Sequence, residues 1–459
     1  MSELPALPGG PPFSLRARIL TPLAAGGSRY LADGRLDVGA DGRLVAIEPW
    51  AESAGRPAAA GDASPVLDLR PLLVLPGLVD LHLHLPQFPS AGLGAGMDLL
   101  TWLEHYIFPL ERAFDAPTAA RLAPQVFRAL AAAGTTTVLA YGAIWAESLD
   151  ACFEAAEAHG IRAVLGKVMM DRVTYGANLP PERILELSLR QTRDLAERWN
   201  GRDQDRLRYA VTPRFAVSCT ADLLRESAAL ARATGSYWQT HLSEDRTEID
   251  TVAVLFPEAR DYLDVYDRAG ALGPRTIMAH AIHLSDRELS RLVESGTRIA
   301  HCPESNLFLA SGMMPLAHYQ ERGAIVGLGS DVAAAPDASL FTQMRTGFYV
   351  QNALRVSAAD ERPILDPMGW LRLATYEGAR VLGLEDSIGS LEPGKEADLI
   401  ALDPSMTQPV QAMAEDDDAT PLLSRLIFRS HPQMVRGAWV RGRLLAAGSA
   451  EPERAQAPS

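Results

Sequence analysis

Cysteine is scarce. Only Cys152, Cys219 and Cys302 occur in 459 residues, and no two form a Cys-x-x-Cys pair. That excludes a disulfide framework, favours a reducing cytoplasm and argues against a thiolate zinc site. Any metal must then be held by histidine and carboxylate. Long apolar runs are missing too: nothing approaches the roughly 18 consecutive apolar residues of a membrane span. The opening MSELPALPGGPPFSL lacks the basic-then-apolar order of a secretory signal. Positive charge is in deficit, with a net charge of −14, which speaks against a nucleic-acid surface. What remains, 47% hydrophobic and 22% charged, is ordinary globular composition, enough for one large domain and a smaller companion.

The rhythm of the chain divides it. Residues 1–75 read as short β segments broken by turns, with ADGR (32–35 and 40–43) serving twice as a turn signal. Over 76–385, short apolar runs such as TTTVLAYGAI (135–144) and IRAVLGKVMM (161–170) alternate with amphipathic stretches. Gly134, Gly160, Gly235, Gly296 and Gly323 close the helical stretches. Repeated β-then-α units predict an α/β fold with a parallel sheet. Eight units over about 300 residues fit a (β/α)8 TIM-type barrel, with an open doubly wound sheet as the alternative. Residues 386–450 return to short strands, GKEADLIALD and HPQMVRGAWVRGRLL. These are expected to join the N-terminal strands in a small composite β-sandwich into which the barrel is inserted. The tail, 451–459, is expected to be disordered.

VDLHLHLPQF (79–88) sets two histidines one residue apart in an apolar run. On a strand His82 and His84 share a face; on a helix they would diverge by about 200°. Two buried imidazoles on one face both need polar partners, which favours a metal over a pair of core histidines. Further ligands should lie at strand ends. Those ends offer His241 and Glu244 in WQTHLSE, His280 and His283 in TIMAHAIHLS, His301 in IAHCPESN, and Asp331 in VGLGSDVA. Any one of these is more often structural, so the argument is joint: six of ten histidines fall at such ends. His105, His159, His318 and His431 read as surface residues. The simplest site is His82, His84, His241 and Asp331, a set that suits zinc or iron. Such an ion makes water ionise near neutrality. Glu244, three residues past His241, can carry a proton, its blander role being a solvated loop acid beside Asp245. His280 can orient the attacking water.

PGLVDLHLHLPQ, THLSEDRTE, MAHAIHLS, AHCPESNLFLASG and GLGSDVA resemble the metal-dependent deaminase pattern of the amidohydrolase superfamily. MDLLTWLEHYIFPLERAF, GTTTVLAYGAI, GKVMMD, YAVTPRFAVSC and VYDRAGAL resemble, in order and spacing, the guanine deaminase branch of it. The likeness runs from about 70 to 400. The His-x-His motif marks only the superfamily, whereas Gln87 with TPRF is narrower. The resemblance implies one zinc per subunit (iron(II) being possible), a β-sandwich beside the barrel, a homodimer, and hydrolysis of guanine to xanthine and ammonia. It implies His82, His84, His241 and Asp331 as ligands, Glu244 and Asp331 as proton carriers, and Gln87, Arg214 and Phe215 around the base. The chemistry agrees: arginine donors suit the carbonyl and N7 edge of guanine, glutamine suits N1–H beside the carbonyl, and phenylalanine can stack. The plainer reading of Pro213-Arg214-Phe215 is a turn with a core phenylalanine.

Two departures bear on substrate. AAAPDAS (333–339) stands where that branch carries glycines, and His283 stands where it has an aromatic residue; both border the expected pocket mouth. One rival is a deaminase or hydrolase of the same superfamily acting on 8-oxoguanine, a pterin or an aminated triazine. A second is a two-metal cyclic amidase, whose carboxylated lysine could only be Lys167. A third is a catalytically dead scaffold, which would lack ligands, and none is missing.

Overall fold

The computed structural model describes residues 6–53, 55–58, 65–172, 174, 179–357, 362–408 and 418–447. The tail expected to be disordered lies outside them. The chain opens with β1 (Phe13–Pro22), β2 (Ser28–Val38), β3 (Leu44–Pro49) and β4 (Leu67–Pro76). Gly77 alone separates β4 from β5 (Leu78–His84). A Cβ at Gly77 would stand 2.1 Å from the Thr136 hydroxyl, so the turn from one sheet into the next needs glycine.

Beyond it come β6 (Thr135–Tyr141), β7 (Arg162–Gly166), the short β8 (Val168–Met169), β9 (Leu207–Pro213), β10 (Tyr237–Leu242), β11 (Thr276–His280), β12 (Arg298–His301) and β13 (Val326–Leu328). The parallel order is β13-β12-β11-β10-β9-β7-β6-β5, with β8 appended to β9. The two ends meet through backbone bonds, Asp331 N to His82 O (2.7 Å) and His84 N to Val332 O (3.0 Å). The result is a nearly closed eight-stranded barrel. Every residue of β5, β6, β7 and β10 is buried, as expected where a parallel sheet is covered on its outer face and filled inside.

Helices stand between the strands, and their ends follow the local chemistry. Asp115, Thr220 and Ser285 cap Ala116–Ala132, Ala221–Thr234 and Asp286–Ser295. Gly160, Gly235 and Gly296 are left-handed C-caps, and Gly134 and Gly323 take positive φ just beyond helix ends. No described helix is long and apolar enough to cross a membrane.

The chain ends with β14 (Leu399–Leu402), β15 (Val435–Val440) and β16 (Arg443–Leu444). They join the first four strands in a seven-stranded sheet of order β16-β15-β14-β4-β1-β2-β3. One turn expectation is corrected here. The first ADGR lies inside β2, not at a turn: Gly34 faces Ala17 beside a register shift, and a Cβ there would meet Ile19 and Leu31 at 2.8–2.9 Å. Its glycine serves close packing. The second ADGR does turn, with Gly42 at φ +78.

Sheet and barrel are joined by charge at the start of β7. Buried Arg162 donates to Asp398 Oδ2 (3.0 Å) and to Glu396, and Arg441 Nε donates to the same Glu396 (2.8 Å).

Candidate active site

The strand ends opposite that joint converge on one pocket. It is lined by His84, Gln87, Arg214, Phe215, His241, Glu244, His280 and Asp331, with an apolar wall that includes Leu99, Trp102, Leu103 and Ala334.

Strand alternation puts His82 and His84 on the inner face of β5, and β10 contributes His241 across the barrel. His84 Nε2 lies 3.2 Å from His241 Nε2, and His82 Nε2 lies 3.2 Å from Asp331 Oδ1. The ligand atoms of His82, His84 and His241 all fall within 4.8 Å of one another, as do those of His82, His280 and Asp331. Hydrogen bonds on the far side orient the rings. His241 Nδ1 meets the Arg214 carbonyl (2.7 Å) and His280 Nδ1 meets Asn306 Oδ1 (2.9 Å). Each Nδ1–H is thereby engaged, leaving the Nε2 lone pair for the pocket. Burial lowers the basicity of His82, His84 and His241, which keeps the imidazoles neutral, the ligating form.

These residues fit a divalent cation. His82 Nε2, His84 Nδ1, His280 Nε2 and Glu244 Oε1 are buried without hydrogen-bond partners, a costly cluster on its own. Left-handed backbone occurs at the same place: Ser243, His280 and Asp331 have φ of 47°, 67° and 52°, a region costly to residues with a side chain.

The two carboxylates are driven apart. Burial, reinforced by repulsion from Asp331, pushes Glu244 well above the usual carboxylate range. Burial also opposes charge on Asp331, but His82, His280 and the Ser305 hydroxyl (2.5 Å) outweigh it and hold its carboxyl below the ordinary value. One acid that keeps its proton beside one that gives it up is the pairing acid–base catalysis uses. Glu244 is not a solvated loop acid: it is 3% exposed, and its backbone N–H is held by Glu248 Oε2 (2.9 Å). His280 Nε2 stands 3.4 Å from Glu244 and 3.8 Å from Asp331, between the two.

Gln87 sits in the 3-10 turn Leu85–Ser90 that follows β5. Arg214 and Phe215 follow β9 directly. Sequence reasoning missed the residue that ties them together. Glu111, fully buried on the short helix Phe108–Ala113, accepts from Gln87 Nε2 (2.8 Å) and twice from Arg214 Nη1 (2.5 and 2.7 Å). The available signal was one acid within the aromatic and apolar run YIFPLERAF.

Other candidates fall away. His301 is buried with neither ring nitrogen paired, yet it joins neither ligand group. His283 is turned to the Ser311 carbonyl (2.7 Å) and is absent from the pocket lining, whereas Ala334 of the alanine-rich segment is part of it. Lys167 Nζ donates to Val168 O (3.2 Å) and Ser188 Oγ (3.0 Å), apart from the histidine cluster.

A model of the amidohydrolase family matches residues 73–445. Over 426 residues the sequence is 38% identical to a probable guanine deaminase of Deinococcus radiodurans, covering 92% of this chain and 94% of that protein. The fold superposes on E. coli guanine deaminase with a TM-score of 0.86 at 32% identity, over 94% of this chain and 99% of that one. It superposes on guanine deaminase from C. acetobutylicum with bound guanine in the active site with a TM-score of 0.84 at 28% identity, over 94% and 99%.

Proposed function

The chain belongs to the amidohydrolase family, and on that premise we propose that it is a metal-dependent enzyme that hydrolyses guanine to xanthine and ammonia. The observation that carries this reading is one pocket with two unlike halves. A histidine–carboxylate cluster fills its floor, and a glutamine, an arginine and a phenylalanine fill its side.

His82, His84, His241 and Asp331 would hold one ion, zinc by preference and iron(II) by the same donor chemistry. When bound, that ion supplies the Lewis acidity that lets water ionise near neutral pH. The residues do the rest. Gln87 and Arg214 hold the N1–H and carbonyl edge, Phe215 stacks on the ring, and the apolar wall excludes bulk water. Asp331 accepts the proton of the attacking water as its oxygen bonds to C2. Glu244 delivers a proton to ring N3, so charge does not build up there. His280 orients the water between the two carboxyls. Asp331 then passes its proton to the amine, Glu244 takes the proton of the C2 hydroxyl, and the C2–N bond breaks to release ammonia with both carboxyls returned to their starting states. The barrel of residues 76–385 would be the catalytic unit, working as a homodimer in cytoplasmic purine catabolism.

The test is to incubate zinc-loaded protein with guanine and follow xanthine and ammonia together, beside 8-oxoguanine, isoguanine, pterin and ammeline. Rapid, stoichiometric conversion of guanine is expected. Turnover of a panel member but not of guanine would keep the metal chemistry and overturn the assignment of the base.

A further inference from the structure

Among the described residues, Arg214 is the only arginine or lysine lining the pocket, and its guanidinium is matched by a carboxylate that the pocket does not expose. Glu111 is 0% exposed and lies behind Gln87 and Arg214. It reaches both at once, through Gln87 Nε2 and Arg214 Nη1. We propose that Glu111 is a positioning and specificity-determining residue: it fixes the hydrogen-bonding sense of Gln87 and cancels the charge of Arg214, so that the site takes a neutral oxopurine and releases the anionic product. This rests on the function proposed above.

The argument has two parts. A carboxylate can only accept, so the amide of Gln87 must turn its NH2 to Glu111. Its carbonyl oxygen then faces the other way, as an acceptor suited to a ring N–H. Arg214 supplies the complementary donors for the adjacent carbonyl. Acceptor beside donor is the complement of guanine's N1–H and carbonyl edge, and the opposite of what an adenine-type edge requires. The second part concerns charge. Hydrolysis replaces the amino group of guanine by a carbonyl, and xanthine gives up a ring proton far more readily than guanine does. An arginine with no compensating charge would hold that anion, whereas the Glu111 carboxylate removes the attraction. Among the described residues, the other ionisable group within ion-pair reach of Glu111 is His84, with Nδ1 at 3.9 Å. An imidazole that ligates an ion does so in its neutral form, so His84 adds no charge to the balance.

Glu111→Gln keeps the size and removes the charge. Guanine KM and kcat, and competitive inhibition by xanthine below and above the pH at which xanthine ionises, would be measured on zinc-loaded wild type, Glu111→Gln and Glu111→Asp. In wild type, inhibition weakens as xanthine ionises. In Glu111→Gln, KM for guanine rises, kcat changes little, and xanthine at the higher pH inhibits on the order of ten-fold more tightly, because the Glu111 charge no longer opposes the attraction of Arg214 for the anion. Glu111→Asp keeps the wild-type pH pattern, which makes the point even if the glutamine variant folds poorly. Weaker xanthine inhibition in Glu111→Gln in parallel with KM at every pH, or loss of the wild-type pattern in Glu111→Asp, would make Glu111 merely structural and overturn the inference alone. Absence of guanine turnover in the wild type would overturn the function itself.

Discussion

The two ends of the barrel treat buried charge in opposite ways. At the start of β7, Arg162 faces two carboxylates, and Arg441 shares one of them and donates its backbone N–H to the other (2.9 Å). Each charge has a partner of opposite sign. At the far end, His82, His84, His280 and His301 each carry a ring nitrogen with no partner, and Glu244 has a free oxygen. The first arrangement holds the seven-stranded sheet to the barrel. The second leaves its polar atoms unspent on the fold, which is what a site reserved for an ion and a substrate requires. Unpaired polar atoms gather where the ion and substrate would sit, and paired charges gather where the sheet meets the barrel.

The largest effect expected from that contrast is on catalysis. Glu244→Gln preserves shape and removes the proton carrier. Turnover of guanine should fall by about 10²–10⁴-fold, the usual worth of a general acid–base group. Meanwhile the melting temperature of the chelator-treated protein should stay level or rise, because a buried carboxyl with an unpaired oxygen is replaced. A marked loss of stability would mean that Glu244 belongs to the architectural class, and the contrast would fail.

Arg162→Met probes the other end. It leaves Asp398 with the Arg441 backbone N–H in place of a cation, and Glu396 with Arg43 and Arg441. Removing one partner of a buried pair costs about 3–5 kcal/mol, to be read as a lower urea midpoint at unchanged slope. The kcat of the folded fraction should be unaltered, since no pocket residue touches Arg162. A kcat change of ten-fold or more would show that the two ends are coupled.

Much of this contrast was legible in the sequence, and the physical reason is periodicity. Strand alternation forces His82 and His84 to one face whatever the fold, and strand ends of a parallel barrel all open on the same side. Spacing alone therefore brings His241, His280 and Asp331 to the same mouth. The glycines that close helices were legible because left-handed caps leave little other choice. What depended on packing was not. Gly34 reads as a turn until the close approach of Ile19 is seen. His301 resembles a ligand until its ring is found outside both ligand groups. Glu111 belongs to a six-residue helix with too few turns to show periodicity. Its role exists only because the turn after β5 and the segment after β9 meet over it.

The smallest expected effect tests a residue of neither class. Lys167 is one of only two lysines, the other being Lys395. It is buried, bonded to a carbonyl and a hydroxyl, with no carboxylate within ion-pair reach among the described residues. Burial lowers its amine from 10.5 to about 7. The folded protein therefore gives up this proton more easily than the unfolded chain. Between pH 7 and 10.5 the unfolded chain holds more protons, so stability rises with pH across that window, and the penalty of charging the buried amine is complete below it. Lys167→Met should raise the melting temperature by a few degrees at pH 6–7. Its advantage should shrink steadily toward pH 10, with turnover unchanged. An advantage that is flat across pH would mean that Lys167 keeps its charge in the fold, which would require a partner for it and return it to the paired, architectural class.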